Sequence, residues 1–280
     1  MPYQELFSDS SHKALLERGE ALWRVVRHHP RYAYYGTVVS LSDPGEDTAC
    51  VVASLARIQG LGMCFYLPET AATPIRRQLD GEGFRTGQSL FCRVGQAAYD
   101  ASKSLLHSGA PPESVTIEPL TDRSSDTLVE ATVALCQACG LSAMPGEIMR
   151  GSVLPGINLV AKDAAGAPVA TAASYAMHAP GTRRAKEAFW GVLATRDDHR
   201  ARGLAGWLGA LAIQHMWEHA GMRVFNTGVK EDNAASLAAC AKLGIRRSDL
   251  VTLFCYDDAT LAEGPQNGRV LNPVKRTTRL

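Results

Sequence analysis

The chain has 280 residues, 46% of them hydrophobic and 20% charged, with a formal net charge of +1. That length allows one large domain or two ordinary ones, and the composition suits a globular protein with a real core. A balance so near neutral gives no global pull toward nucleic acid. No basic-aromatic array points there either, and no apolar run approaches the roughly 18 residues of a membrane span.

The opening MPYQELFSDSSHK is polar, with no apolar stretch behind a basic start, so no secretory signal is expected. Seven cysteines, an odd and scattered set, read as reduced thiols of a cytoplasmic protein. From Gly62 to Cys92 the sequence runs Gly-Met, an apolar strand, an acidic turn, a helix, Gly-Phe and a strand ending Leu-Phe-Cys. The same grammar returns from Gly221 to Cys255, which predicts an internal repeat. Between the copies, SLLHSGAPPESV (104–115) gathers Gly, Pro and Ser and is the expected linker.

A helix is predicted to open at Ser125 or Asp126 and to carry Leu128, Thr132, Leu135 and Cys139 on one face. Cys136 and Cys139 form a CxxC, but no second pair or ligand-spaced histidines lie nearby, so core packing is expected and no metal. GINLVAKDAAGAPVATAASYAM predicts two strands joined by a turn at Asp163–Gly166, and Ala188–Thr195 another strand. Leu204, Leu208, Leu211 and His215 lie on one face of a helix ending near Gly221. A strand over Arg223–Val229, a helix over Ala234–Lys242 and a strand over Leu250–Tyr256 complete the alternation. The fold class is α/β, or α+β, with a sheet of mixed direction.

The junction HRARGLAG, residues 199–206, stands where an apolar strand gives way to a helix. A first helical turn has N–H groups without intrahelical partners and the positive end of the dipole. Gly203 permits a tight turn, Ala205 and Gly206 permit close approach, and Arg200 and Arg202 add full charge. The junction is built to hold a phosphate or pyrophosphate. It is neither a P-loop nor a dinucleotide fingerprint, since the Lys-Ser/Thr ending and the Gly spacing are missing.

Arg200-Ala201-Arg202-Gly203-Leu204-Ala205 resembles the Arg/Gln-x-x-Gly-x-Gly/Ala signature of the GNAT superfamily of acyl-CoA-dependent N-acyltransferases. LATRDDH before it resembles that family's fourth strand and turn, and NAASLAACAKLGI its later Asn-containing helix. The resemblance spans roughly 115–256, and the first half resembles a decayed copy without the phosphate signature. It implies two GNAT-like domains, 1–108 (degenerate) and 115–258 (with an intact acyl-CoA signature), followed by a tail over 259–280.

By that resemblance, amides from Ala201 to Gly206, with Leu204 among them, would hold the pyrophosphate of acetyl-CoA as co-substrate. Exposed backbone at Leu193, Ala194 and Thr195 would pair with the pantetheine arm, and the amide near Leu193 could polarise the thioester carbonyl. Asn233 would contact the pantetheine or cysteamine end, with helix capping as its other role. A free alkyl amine titrates near ~10 and attacks only when neutral, so a proton must be removed. Glu187, two residues upstream of the family's usual carboxylate, is the candidate base, with Tyr175 and His178 as alternatives. The family's tyrosine acid is replaced by Cys240, which could reprotonate the thiolate or simply pack, while Ser236 and Tyr256 could organise water.

The implied function is N-acetyl transfer from acetyl-CoA to the primary amine of a small-molecule acceptor by direct attack. A longer acyl-CoA, a carrier-protein thioester and a non-catalytic acyl-CoA sensor stand as alternatives. Arg183, Arg184 and Lys186 in AMHAPGTRRAKEAF are candidates for holding a carboxylate on the substrate, against the simpler reading of a solvated basic loop. Nucleic-acid and membrane partners are not expected, and homodimerisation stays open.

Overall fold

Strands form where β-branched and aromatic residues run together between glycine and proline punctuation, and helices where alanine and leucine dominate. The computed structural model describes residues 10–109, 115–142 and 144–262. The expected linker therefore lies partly outside the described residues (110–114), as does most of the expected tail. The first half supplies α1 (Ser10–Val26), β1 (Tyr32–Ala33), β2 (Ser40–Leu41), α2 (Thr48–Gln59), β3 (Leu61–Pro68), α3 (Glu69–Gly81), β4 (Arg85–Val94) and α4 (Gln96–Ser108). The second supplies β5 (Thr116–Pro119), α5 (Asp126–Ala138), α6 (Gly146–Met149), β6 (Gly156–Lys162), β7 (Pro168–Ala176) and β8 (Glu187–Thr195). It continues with α7 (Leu204–Glu218), β9 (Val224–Val229), α8 (Ala234–Lys242), β10 (Arg246–Tyr256) and α9 (Asp258–Ala262).

All ten strands share one sheet, in the order β1-β2-β3-β10-β4-β9-β8-β7-β6-β5. The pairs β2–β3 and β8–β9 are parallel and the others antiparallel, so the sheet is mixed as expected. The repeated stretches are β3–α3–β4 and β9–α8–β10, and their closing strands are interleaved: β10 lies between β3 and β4, and β4 lies against β9. Within this seam Ser89 stands opposite Thr252. The exchange gives β4 and β10 a neighbour on both sides and leaves neither as an exposed edge.

Several element details differ from the sequence reading. The last strand begins at Arg246 rather than Leu250, because its first residues extend along β4. Helix α7 ends at Glu218, and it buries Gly209, Ala210 and Ala212 as well as Leu204 and Leu208. It is sandwiched between the sheet and α4, so a single apolar stripe would not suffice. Gly209 is required by contact: a Cβ there would lie 2.6 Å from the Trp190 ring, whose Nε1 donates to the Gly209 carbonyl at 3.0 Å. In α5 the buried face comprises Val129, Thr132, Val133, Leu135 and Cys136, with Ser125 capping through Leu128 N–H. Cys136 is thus core, while the Cys139 Sγ reaches the Thr195 carbonyl at 3.5 Å. No helix of the described residues is long and apolar enough to cross a membrane.

Candidate functional site

Strand β8 leaves the sheet at Thr195 and enters a 3-10 turn over Asp197–His199. Arg196 fastens that turn, bonding Asp163 at 3.1 Å and Asp198 at 2.8 Å. The Asp198 carboxyl is held below the usual range, first by Arg196 and then by His199. Ala201 then turns with φ +62 and Gly203 with φ +81, and α7 begins. No atom lies within 4 Å of a Cβ built on Gly203, so glycine is needed there for its backbone angle and not for space. The first amide to return into the helix is that of Trp207, to the Gly203 carbonyl at 3.0 Å. The N–H groups of Leu204, Ala205 and Gly206 precede it at the positive end of a 15-residue helix. Arg200 (60% exposed) pairs with Asp197 at 2.8 Å, and Arg202 donates to the Asp198 carbonyl at 2.9 Å. Chemically, such a cradle of amides and guanidiniums can accept an anion.

The strand leading to the cradle is split from its neighbour. The β8–β9 ladder holds only from Glu187–Val224 to Phe189–Asn226. Beyond it, β9 stays with β4 and β8 stays with β7. On the β7 side, Thr171 faces Ala194 and Ala173 faces Gly191, so Val192 and Leu193 together oppose Ala172. This bulge turns Val192 to φ +54 and aims β8 away from β9. From Gly191 on, β8 has no ladder to β9, although the Thr195 carbonyl accepts Cys139 Sγ at 3.5 Å and Arg200 Nε at 3.3 Å. Because β8 and β9 run parallel, the loops after them open at the same edge. Asn233 stands there at the start of α8, where its Oδ1 accepts from the Ser236 N–H at 3.0 Å, so the capping role is in place.

A buried polar cluster closes the foot of this opening. Asn226, partner of Phe189 in the last rung, donates Nδ2–H to the Tyr66 hydroxyl at 3.1 Å. That hydroxyl lies 2.9 Å from His178 Nε2. Glu187, 6% exposed, accepts Arg93 Nε at 3.1 Å, Arg93 Nη2 at 2.8 Å and Arg184 Nη1 at 3.2 Å. The Arg184 guanidinium also sits 3.5 Å from the centre of the Tyr66 ring. Burial, reinforced by Glu187, pushes the Tyr66 phenol well above its ordinary range. Burial lowers His178 to about 4, so its ring is neutral. Tyr66 itself has φ +58, and among the described residues the non-glycine positions at positive φ are Tyr66, Val192 and Ala201. One lies at the foot of the opening, one in its bulge and one in the cradle, the clustering of backbone strain that functional sites show.

The other expected catalytic side chains lie elsewhere. Cys240 is 2% exposed, and its hydrogen bond with buried Cys92, followed by its own burial, pushes its thiol up. Tyr175 is fully buried in β7, its phenol raised by burial, and its ring needs Gly156, where a Cβ would come within 2.3 Å. Of the basic loop, Arg183 pairs with Asp43 and Arg184 with Glu187, which leaves Lys186 without a carboxylate partner among the described residues. Tyr66, Arg93 and Asn226 were missed by sequence reasoning. In the first half, the segment from β2 to α2 reads SDPGED, and Asp43, Glu46 and Asp47 stand where the second half has arginines. Like charge would repel a pyrophosphate there, and Arg31 and Arg183 pair with Asp47 and Asp43 instead.

A mixed sheet whose parallel strands part beside a bulge, with an open helix N-terminus at the end of the first, defines a mixed α/β fold. Residues 148–245 match the model of the Acetyltransferase (GNAT) family. A GCN5-related N-acetyltransferase from Kribbella flavida is 17% identical and superposes with a TM-score of 0.54, covering 87% of this chain and 95% of that one. A tandem GNAT protein from the clavulanic acid biosynthesis pathway is 16% identical, with a TM-score of 0.51 over 78% of this chain and 69% of that one. A Drosophila protein of known structure is 12% identical, with a TM-score of 0.53 over 88% and 90%. At these identities the likeness is one of fold. Among curated protein sequences none matches this chain.

Proposed function

We propose that the protein transfers an acetyl group from acetyl-CoA to the primary amine of a small molecule by direct attack. The observation that carries this reading is the continuity of one strand. β8 parts from β9 at Phe189, bulges at Val192 and ends in the Arg200–Gly206 cradle. Pyrophosphate would lie on the amides of Leu204–Gly206 beside Arg200 and Arg202, and the pantetheine arm along Leu193–Thr195. The thioester then reaches the foot of the opening, toward Asn226 and Tyr66. An intact cradle favours a free acyl-CoA over a carrier-bound thioester, which needs less of a pyrophosphate site.

The neutral amine attacks the thioester carbonyl, an N–C bond forms, and the attached nitrogen becomes acidic. We assign its proton to His178 Nε2 through the Tyr66 hydroxyl, on the 2.9 Å contact between them, for the brief interval before the thiolate departs. Collapse breaks the C–S bond, and the departing thiolate takes the proton, leaving amide and free thiol. Glu187, engaged by two guanidiniums, is assigned to holding β4 against β8, and Cys240 to packing.

Calorimetric titration of acetyl-CoA, followed by thiol release across a panel of amines, tests the reading. Saturable binding that Arg202→Glu weakens by about tenfold or more is expected. Tyr66→Phe should leave that binding intact and slow thiol release by roughly a hundredfold. No binding by folded wild-type protein would overturn the coenzyme assignment, and an unchanged rate in Tyr66→Phe would overturn the proton route.

A further inference from the structure

A cavity of about 580 Å³ lies between the two halves of the chain, at the end of β8 away from the cradle. Its walls are apolar: Trp23 and Tyr32 from the first half face Leu154, Met177 and Met222 from the second. Its mouth is flanked by Val153, which is 43% exposed and one of few large apolar side chains so exposed among the described residues. Its charged lining is of one sign only. Arg27, Lys186 and Arg223 line it, and no aspartate or glutamate does. None of these cations has a carboxylate within salt-bridge distance among the described residues. Arg223 instead donates to the Trp217 and Met222 carbonyls and stacks on Trp217.

An apolar cavity of this size usually accepts a ligand body, and the few polar groups at its rim fix the ligand's orientation. Unpaired cations beside apolar walls repel an amine and attract an anion, and that attraction persists where water is partly excluded. We infer that this cavity binds an amphipathic anion, with an aliphatic or aryl body between Trp23 and Met177 and its carboxylate between Arg27 and Lys186. The inner wall is His178, whose Nε2 meets Tyr66, so a bound ligand abuts the cluster at the foot of the β8–β9 opening. The inference does not depend on the proposed transferase activity, because the cradle lies at the opposite end of β8.

The test is calorimetric titration of the full chain with decanoate, decanol and decylamine. Decanoate is expected to bind saturably at one site, and decylamine about tenfold or more weakly. Lys186→Glu should weaken decanoate by about tenfold and narrow or reverse the preference. Val153→Glu alters an exposed position at the mouth, where folding is not at risk, and should also weaken decanoate. Saturating acetyl-CoA should leave decanoate bound. Equal binding of decanoate and decylamine, no saturable binding, or displacement of decanoate by acetyl-CoA with no effect of Lys186→Glu would each overturn the assignment. Acetyl-CoA binding measured alone reports separately on the coenzyme cleft.

Discussion

Replacing Arg93 with methionine isolates the contact that ties β4 to β8. The Glu187 side chain is 7% exposed and receives two bonds from Arg93 and one from Arg184. Removing one partner of a buried pair costs roughly 3–5 kcal/mol, because the remaining charge stays desolvated. Here Arg184 remains at 3.2 Å, and the lost guanidinium was itself 40% exposed, so water offsets part of the loss. About 2–3 kcal/mol is therefore expected for Arg93→Met. Arg93→Met/Glu187→Met removes both charges but leaves Arg184, 18% exposed, without its carboxylate, so it should cost no more than Glu187→Met alone. In urea unfolding, with a slope near ~3 kcal/mol per molar, the single variant should shift the midpoint by just under ~1 M. The cycle should show a coupling of about 2 kcal/mol. A single-variant loss below ~0.5 kcal/mol, or strict additivity, would refute the view that this pair fastens β4 to β8.

Three further outcomes follow from the same site. Burial holds folded His178 at about 4 against an ordinary 6.5, with Glu187 raising and Arg184 lowering it further. The unfolded chain therefore binds the proton first, and stability is complete above about 6.5 and falls toward pH 4, by about 3 kcal/mol at the limit. Urea midpoints across this range should show that slope in wild type and lose it in His178→Gln. Asn233→Ala removes the bond to Ser236 N–H and should cost about 1 kcal/mol in thermal unfolding; unchanged stability with weakened acetyl-CoA binding would give Asn233 a ligand role alone. Gly203→Ala forces a side chain to φ +81 and should cost about 1 kcal/mol, whereas Ala201→Gly at φ +62 should be neutral or slightly stabilising. Equal losses from both in melting experiments would argue against backbone strain as the reason for glycine.

The cradle was legible because every part of it lies within one short stretch of chain. Strand, turn glycine, flanking arginines and helix start are neighbours in sequence, and their chemistry is local. The mixed sheet and the strand–helix–strand repeat were legible for the same reason, through period and punctuation. The foot of the opening was not. Tyr66 meets His178 across 112 positions and Asn226 across 160, while Arg93 meets Glu187 across 94. Those meetings depend on β10 entering between β3 and β4, a choice of register between two similar strand–helix–strand units that neither unit signals alone. The positive-φ positions gave no warning, because Tyr66 and Val192 reach them without the glycine or asparagine that usually marks such a turn. Charge was equally misleading. Arg183, Arg184 and Lys186 read alike in sequence, yet the first two are held by Asp43 and Glu187 and only Lys186 is left to face the cavity between the halves. A basic loop becomes a specific site only when the fold decides which of its charges are already paired.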